Sequence, residues 1–339
     1  MKRIKLKNIY KKKRKKIFQV RKNKYNSISV QTKFLIILII FLINIFWKNN
    51  LTKSELKQNE NKLQYNYCLC VKGRMENLYV REFISYYLSL DVDKFVIAEN
   101  NPPNTEKFSD VLQDYIKNNT VDILDFVGKK IIEPECNEFM YEKYQDKCKW
   151  LIFYDFDEYV KLLSDEGKNI GFNEFLSNNK FNKCEAIIIN WVTYDDNELV
   201  YYDNRSSIER FTHPQFKNDL NNYVKSIVRG NLNRTLFTKS IHIPEKVIAC
   251  DTMGNIHTNL YDNLRPPIFK NGYLMHFYSR TAEEFADKNK RGYFDRYVDM
   301  NAKIDFFFKI NKFSEEKLKV LEKKFNTTFD NVRKKYNKS

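Results

Sequence analysis

Residues 150–160 read WLIFYDFDEYV, and this stretch decides how the rest of the chain is interpreted. Its first five residues form a continuous apolar run, which is typical of a strand buried on both faces of a sheet. Three acids follow within four positions: Asp155, Asp157 and Glu158. Charges beside an apolar core are costly unless they are paired or bind a metal. Because ligands of open α/β sheets bind beyond the carboxyl ends of the strands, the stretch predicts a ligand site there.

The first two of these acids have the spacing of a cation site. Alternate residues of an extended chain point the same way, so Asp155 and Asp157 can face one ion together. Carboxylate oxygens suit Mn²⁺ or Mg²⁺, and such ions usually share their ligand shell with substrate phosphates. An EF-hand is excluded because Val160 stands where its loop requires glycine. A solvated loop is the alternative that a short DxD string leaves open.

Strands and helices alternate through the main part of the chain, residues 64–300. Apolar runs predict strands at 94–98, 121–126 and 184–192. Apolar residues at helical spacing predict helices at 78–90, 281–291 and 314–325. The alternation favours an α/β domain with a mostly parallel sheet and flanking helices. Residues 301–339 are predicted to form a helical, basic extension.

The net charge of the chain is concentrated at one end. The 339 residues include 59 Lys and Arg against 43 Asp and Glu, a formal net charge of +16. Residues 1–33 contain 14 of the basic residues and no acid, so the remainder is nearly neutral. A body without excess positive charge has little with which to hold phosphate backbones, which argues against a nucleic-acid-binding protein.

An apolar segment follows the basic tail. Residues 34–47 read FLIILIIFLINIFW, bracketed by Lys33 and Lys48. Lysines can extend to the membrane surface and Trp47 suits the interface, so the segment is predicted to be a short signal-anchor transmembrane helix. The alternative is a hydrophobic helix of the globular domain. Residues 48–63 are polar and predicted to form a stem.

The basic tail also predicts the orientation of the protein in the membrane. Positive residues on one side of an anchor place that side in the cytoplasm, where they contact acidic lipids. We therefore expect a single-pass type II protein, with its body in the lumen of the Golgi or endoplasmic reticulum if it is eukaryotic or viral. The alternative is a bacterial inner membrane protein. The oligomeric state is not predicted.

Six cysteines lie in the predicted body, at Cys68, Cys70, Cys136, Cys148, Cys184 and Cys250. None of them forms a CxxC pair, which argues against a zinc site. In an oxidising lumen they could form disulfides. Buried thiols are the alternative.

The stretch WLIFYDFDEYV resembles the W-x-x-x-x-D-x-D-E-[FY] signature of glycosyltransferases of GT-A fold, in particular the family 92-like and related family 2-like enzymes. Other segments agree with these families in the same order: Glu99-Asn100-Asn101, Asn190-Trp191, Glu209-Arg210-Phe211, KSIVR at 225–229 and His276-Phe277-Tyr278. Glu99 departs from the family pattern, which has Asp there. The resemblance covers about residues 65–295 and implies a Rossmann-like domain that binds a nucleotide-diphospho-sugar.

The resemblance also implies roles for individual residues. Asp157 is the expected main ligand of Mn²⁺ or Mg²⁺, and Asp155 contacts the metal or the ribose. His276 is the expected third ligand, although a lone histidine is more often structural. Residues expected to bind the nucleotide-sugar are Glu99 and Asn100 for the nucleoside and Lys225, Arg229, Lys288 and Arg291 for the diphosphate. Turn formation for the first two and ordinary surface charge for the others are the alternatives.

The expected reaction moves a hexose, with a UDP-sugar favoured as donor, to a hydroxyl of a glycan, glycoprotein or glycolipid. The family implies inversion, which needs a carboxylate base near the acceptor hydroxyl. Asp195, Asp196 and Glu209 are candidates, and Asp196 is favoured.

Two other functions are weighed. One is a membrane-tethered binding or scaffold protein with a decayed active site, against which the intact DxD argues. The other is a phosphohydrolase that uses the first Asp of a DxD as nucleophile. Such enzymes usually carry Thr or Val two residues beyond the second Asp, where this chain has Tyr159.

Overall fold

The computed structural model describes residues 63–129, 133–258, 263–291 and 299–337. The predicted tail (1–33), anchor (34–47) and nearly all of the stem (48–63) lie outside the described residues. Within the described ranges, no helix combines the length and apolar character needed to cross a bilayer.

The helices and strands are numbered here in chain order. They are β1 (Tyr65–Gly73), α1 (Asn77–Leu88), β2 (Lys94–Glu99), α2 (Phe108–Val111), α3 (Gln113–Lys117), β3 (Val121–Asp125), α4 (Glu133–Tyr144), β4 (Cys148–Phe153), β5 (Glu158–Leu162), α5 (Phe172–Leu176), β6 (Ala186–Thr193), α6 (Ser207–Arg210), β7 (Val224–Arg229), β8 (Ala249–Cys250), β9 (Ile256–His257), β10 (Gly272–His276), α7 (Ala282–Lys290), α8 (Met300–Ile310), α9 (Glu315–Phe325) and α10 (Asp330–Tyr336).

The described strands form one ten-stranded sheet in the order β3-β2-β1-β4-β7-β6-β10-β5, with β8 beside β6 and β9 beside β8. The first four are parallel. Beyond β4 the sheet is mixed, because β7 runs antiparallel to both β4 and β6, and β5 runs antiparallel to β10. The prediction of an α/β sheet is confirmed, but "mostly parallel" holds only for the first half. Parallel neighbours need long crossovers, usually helical, and the chain from β6 to β7 has only one four-residue α-helix, which suits the antiparallel pairing of these two strands.

The sheet is buried on both faces. Trp150, Ile152 and Tyr154 belong to the core against α1, whereas Leu151 and Phe153 belong to the core against α4. Every one of these side chains is buried. The continuous apolar run before the DxD therefore forms a central strand, as predicted.

The C-terminal helices pack on the sheet domain. Phe285 and Ala286 of α7 share a third hydrophobic core with Phe307 of α8, Leu318 of α9 and Val332 of α10. The segment predicted as a separate extension from residue 301 is thus the support of α7.

Two disulfides cross-link the domain. Cys68 of β1 is bonded to Cys148 of β4, and Cys184, just before β6, is bonded to Cys250 of β8. Cys70 and Cys136 are buried outside these two bridges.

Candidate active site

The candidate site lies at the edge of the sheet where β1, β2, β4, β6 and β10 end. The register pairs His276 of β10 with Glu158 at the start of β5. It pairs Phe153 of β4 with Ser226, near the start of β7. The turn after β4, residues 154–157, therefore lies beside the first residues of β5 and β7 and the last residue of β10. This is the strand-end position that the sequence predicted for the ligand site.

Asp155 is held by a buried lysine. Its Oδ2 atom accepts a hydrogen bond from Lys225 Nζ at 2.5 Å, and the Lys225 side chain is 2% exposed. Burial disfavours the charged carboxylate, but Lys225 and Lys72 outweigh it and lower the pKa of Asp155 to about 2. The predicted contact residue Lys225 is therefore at the site, against the first carboxylate of the DxD.

Asp157 is buried, at 6% exposure, and lies among positive or polar groups. Its Oδ2 atom accepts a hydrogen bond from Lys288 Nζ and is 3.7 Å from His276 Nε2. Burial again opposes ionisation, and Lys288, His276 and Arg280 together hold the pKa of Asp157 well below its usual range. The structure thus brings together three predicted site residues from β10, α7 and the turn after β4.

His276 is buried at 4% exposure, which favours the neutral form of its ring. Burial lowers its pKa, although Asp157 opposes the change. Its Nδ1 atom is buried without a hydrogen-bond partner among the described residues. The imidazole packs on Trp191 of β6, with ring centroids 4.2 Å apart. A neutral imidazole has a nitrogen lone pair that can bind a metal.

The donor atoms fit a divalent cation, but they do not form a complete protein cage. No three His, Cys, Asp or Glu side chains of the described ranges are grouped closely enough to hold a metal. Asp157 and His276 supply one carboxylate and one neutral imidazole, while Asp155 faces Lys225. Because Mn²⁺ and Mg²⁺ take ligands from water and substrate phosphates as well, two protein ligands are compatible with such an ion.

Glu158 is a site residue to which the sequence reasoning gave no role. It is fully buried, and its Oε2 atom accepts the hydrogen bond from the Asp155 backbone N–H at 2.9 Å. Burial raises its pKa to about 8, and the neighbouring Asp155 and Asp157 add to the effect while Lys225 opposes it. Glu158 therefore fixes the turn that carries the two aspartates. Its place in the D-x-D-E string was the available signal.

Glu99 and Asn100 lie at the end of β2 and organise the loops beside it. Glu99 Oε1 accepts a hydrogen bond from the Phe108 backbone at 2.8 Å, and burial raises its pKa. Asn100 Nδ2 donates to the Phe126 carbonyl, and Arg74 Nη1 donates to the Asn100 carbonyl. Arg74, directly after β1, was not singled out from the sequence.

Gly73, the last residue of β1, is required by close packing under these loops. A Cβ atom built at this position would lie 2.5 Å from the ring of Phe108 and 2.7 Å from that of Phe156. The glycine thereby lets the loop after β2 lie close to the end of β1.

Arg291 belongs to a buried ion cluster next to the site. Its guanidinium donates to the Met75 carbonyl and pairs with Glu76, which also pairs with Arg280 at 3.0 Å. Arg280 stacks over the Tyr79 ring at 3.5 Å. Arg291 therefore links α7 to the loop after β1. Arg280 is a second basic residue that the sequence reasoning missed.

The structure does not bring Arg229 to the site. It pairs in register with Trp150, five residues before Asp155, about 16 Å along β4. Its side chain donates to the Cys184 and Phe181 carbonyls. The prediction of a diphosphate contact is corrected, because the antiparallel direction of β7 sends Lys225 to the site and Arg229 to the opposite edge.

Two of the three carboxylates predicted as bases, Asp196 and Glu209, have other partners. Asp196 is 1% exposed and pairs with Lys317 of α9 at 2.6 Å. Burial raises its pKa to about 6, against the opposing effect of Lys317. Glu209 is exposed and accepts from the backbone and hydroxyl of Ser206 at the start of α6. Lys317 therefore occupies the Asp196 carboxylate, and the Glu209 carboxylate takes part in capping helix α6.

Asp195 has a different environment from its neighbour. Its Oδ1 atom is 3.5 Å from His213 Nδ1, and the His213 side chain is 65% exposed. Its Oδ2 atom accepts from Gln215 Nε2 at 2.8 Å. Tyr194, the preceding residue, donates its backbone N–H to the His276 carbonyl. Asp195 therefore directly follows a residue that is hydrogen-bonded to the end of β10.

A sequence profile of glycosyltransferase family 92 matches residues 64–335, well over half of the chain. The chain belongs to glycosyltransferase family 92. The family expected from the D-x-D-E stretch is confirmed, and with it the assignment of the protein as a glycosyltransferase enzyme. The match continues through the C-terminal helices. None of the curated proteins compared with this family 92 chain matches it.

Solved structures similar to this family 92 enzyme include TarS of S. aureus, at 10% identity and a TM-score of 0.35. The alignment covers 77% of this chain and 43% of TarS, so the chain spans less than half the length of that protein. A shorter TarS, residues 1–349, was solved with UDP-GlcNAc; it shares 10% identity at a TM-score of 0.31, over 80% of this chain and 73% of that one.

Proposed function

We propose that this enzyme moves a hexose from a nucleotide-sugar, with a UDP-sugar favoured, to a hydroxyl of a glycan, glycoprotein or glycolipid, with inversion. The observation that carries the proposal is that Asp157 Oδ2 and His276 Nε2 lie 3.7 Å apart, at the edge where the strands end. Lys225 and Lys288 lie at the same two aspartates. Such a cluster suits a diphosphate together with a cation.

We assign Asp157 and His276 as the protein ligands of Mn²⁺ or Mg²⁺. When bound, the ion would offset the negative charge of the departing nucleoside diphosphate. Lys225 and Lys288 bring two ammonium groups to the same place, and charge-assisted hydrogen bonds to phosphate oxygens are strong. Asp155 keeps Lys225 in position, and Glu158 fixes the turn by accepting the Asp155 N–H.

The nucleoside is assigned to the side of β1 and β2. Glu99 and Asn100 end β2, and Arg74 follows β1 and donates to Asn100. Arg291 donates to the Met75 carbonyl in the same loop. These residues place polar groups beside the phosphate-binding lysines, as a nucleotide requires.

We assign the base that accepts the proton of the acceptor hydroxyl to Asp195. Unlike Asp196, it has no lysine partner within salt-bridge distance among the described residues, and its neighbour Tyr194 is hydrogen-bonded to His276. Asp195→Asn should lower kcat at least tenfold while the affinity for UDP is kept. The matched control is Asp203→Asn, which changes an exposed carboxylate. Unchanged kcat in Asp195→Asn would remove this assignment.

The experiment for the main proposal is a turnover assay with a panel of UDP-sugars, in Mn²⁺, in Mg²⁺ and after EDTA. We expect EDTA to abolish turnover and either ion to restore it. Asp157→Asn should lower kcat at least a hundredfold, because it removes the carboxylate that binds the ion. Asp114→Asn is the matched control, since Asp114 of α3 pairs with Arg81 at the surface and both side chains are more than half exposed.

Three outcomes would count against the proposal. Full turnover in EDTA, or in Asp157→Asn, would remove the metal role. Binding of UDP-sugars without turnover under any condition would favour the membrane-tethered binding protein. A product whose anomeric configuration, read by NMR, is the same as that of the donor would contradict inversion.

We further propose a type II membrane protein with its body in the lumen of the Golgi or endoplasmic reticulum. The two disulfides, Cys68–Cys148 and Cys184–Cys250, support an oxidising compartment. The basic tail, residues 1–33, supports a cytoplasmic N-terminus. Protection of the C-terminus from protease in intact vesicles tests this; digestion there would favour the opposite orientation.

A further inference from the structure

Three aromatic rings meet beside the site and have no part in the function proposed so far. Trp191 of β6 lies 5.3 Å from Tyr223 and 5.5 Å from His242, measured between ring centroids. Tyr223 and His242 are 5.9 Å apart. Trp191, Tyr223 and His242 are called the aromatic cluster below. They come from three separate parts of the chain, so only the fold brings them together.

The aromatic cluster contacts the groups assigned to catalysis. The Trp191 ring packs on His276 at 4.2 Å, and His276 Nε2 is 3.7 Å from Asp157. Tyr223 is extended and directly precedes β7, and its carbonyl accepts a hydrogen bond from the backbone N–H of Trp191. Residues two apart on an extended chain share a face, so Tyr223 and Lys225 point the same way. The cluster is therefore continuous with the DxD.

The cluster has the surface of a binding site and not of a closed core. The Tyr223 side chain is 38% exposed although it lies against two other rings. Trp191 Nε1 is buried and has no hydrogen-bond partner among the described residues. Buried indole N–H groups usually find a partner, so a donor without one points to a ligand or water at this place. The Nδ1 atom of His276 is a second such atom.

Its place in the strand order separates the cluster from the nucleoside. The assigned nucleoside side is at β1 and β2, the DxD follows β4, and the cluster lies at β7 and β6. Four strand spacings separate β2 from β6, about 19 Å. The donor therefore extends from β2 to the DxD, and the cluster lies beyond it, on the side from which an acceptor approaches.

We propose that the aromatic cluster is the platform for the sugar ring of the acceptor that carries the attacking hydroxyl. The proposal rests on the function proposed above and names the acceptor as a glycan. A pyranose has apolar C–H faces that pack on aromatic rings, and it has hydroxyls that can accept a hydrogen bond from the indole Nε1–H of Trp191. Ligand sites that are mostly aromatic with a few polar groups have this character.

The test compares the acceptor and donor kinetics of Tyr223→Ala. We expect the KM for the acceptor to rise roughly three- to tenfold, the value of one aromatic contact, while the affinity for UDP is unchanged. Tyr223→Phe keeps the ring and should restore most of the acceptor KM. Tyr201→Ala is the matched control, because Tyr201 is 53% exposed and lies outside the cluster. An increase in the donor KM alone would assign the cluster to the donor hexose and overturn the proposal.

A binding measurement keeps the test independent of turnover. Saturation-transfer NMR is recorded with the methyl glycosides of galactose, glucose, N-acetylglucosamine, mannose and fucose, in the presence of UDP. At least one should bind, and Tyr223→Ala should reduce its signal while UDP binding, measured by calorimetry, persists. A wild-type protein that does not bind UDP would contradict the proposed function. UDP binding with no glycoside signal, or with one that Tyr223→Ala leaves unchanged, would contradict only the platform.

Discussion

The pKa of the Glu158 carboxyl depends strongly on burial and on the charges around it. The Asp155 backbone N–H and Lys225 Nζ, which is 3.7 Å away, both favour the charged carboxylate. Burial and the adjacent aspartates have the larger effect and raise the pKa of Glu158. With a pKa of about 8, the carboxyl is largely protonated at neutral pH. The site therefore carries fewer negative charges than its three acids suggest, which favours the approach of a diphosphate.

The raised pKa of Glu158 predicts a pH dependence of stability. In the unfolded chain the carboxyl ionises near its ordinary value of 4.5, whereas in the folded protein it stays protonated up to about pH 8. Between these values the folded state binds more protons, so this residue makes the free energy of unfolding fall as pH rises, by at most about 1.4 kcal/mol per pH unit. Below pH 4.5 the carboxyl is protonated in both states, so it no longer makes the free energy of unfolding depend on pH.

Glu158→Gln should remove this part of the pH dependence, because the amide does not titrate. The measurement is urea unfolding of both proteins at pH 5 and pH 8. The wild type should lose more stability over this interval than the variant. Equal losses would show that Glu158 is ionised in the folded protein. Glu166→Gln, on an exposed turn, is the control for a general effect of removing a carboxylate.

At the scale of elements, helix α9 is attached to the sheet through a buried ion pair. Lys317 Nζ lies 2.6 Å from Asp196, and both side chains are at most 2% exposed. Asn311, just after α8, accepts the Asp196 backbone N–H at 2.8 Å. The turn after β6, which carries Asp195, is therefore held in place by the C-terminal helices.

Breaking this pair should be costly. Lys317→Met leaves the Asp196 carboxylate buried without its lysine, and losing one partner of a buried pair destabilises by about 3–5 kcal/mol. Lys312→Met, at an exposed pair with Glu198, should cost at most about 1 kcal/mol. Urea unfolding gives both values.

The double variant Asp196→Asn/Lys317→Met separates structure from catalysis. It should regain part of the lost stability, because the amide carries no charge to leave unpaired. Turnover that is retained in this variant is the outcome that the assignment of Asp195 as the base requires. Its loss in a folded, UDP-binding protein would contradict that assignment in favour of Asp196.

The helices and strands were largely predictable from the sequence. The contacts of some site residues were not, for a physical reason. The apolar run of β4 and the helical spacing of α7 are local signals, and both elements lie where the sequence placed them. The direction of β7 is not local, since it depends on which strands it pairs with. Arg229 was therefore assigned to the wrong edge. The ion pair of Asp196 was not predictable either, because its partner, Lys317, lies 121 residues away.

At the scale of the whole molecule, the site is assembled between the sheet and the C-terminal helices. Lys288 of α7 contacts Asp157, and Arg291, the first residue after the helix, contacts Glu76. Thr281 caps the start of helix α7, because its hydroxyl accepts a hydrogen bond from the Glu284 N–H, and Phe285 of the helix is buried against the C-terminal core. The position of two assigned donor contacts thus depends on residues that follow position 300.

This dependence predicts opposite results for two deletions. Removing residues 300–339 exposes the apolar face of α7, including Phe285 and Ala286, to water. Burying a phenylalanine side chain is worth about 1.5–3 kcal/mol, so exposing Phe285 together with Ala286 removes a large part of the roughly 5–15 kcal/mol that stabilises an ordinary domain. We expect a protein that aggregates or loses UDP binding.

Removing residues 1–62 should leave UDP binding and turnover unchanged in detergent-free solution, because the family match begins at residue 64. Size-exclusion chromatography and UDP calorimetry on both deletions measure the contrast. A folded, UDP-binding chain that ends at residue 299 would show that the sheet alone positions Lys288. Since Lys288 reaches Asp157 from the last turn of α7, that result would require another support for the helix, for which the Arg210–Glu284 ion pair at 2.6 Å is the candidate.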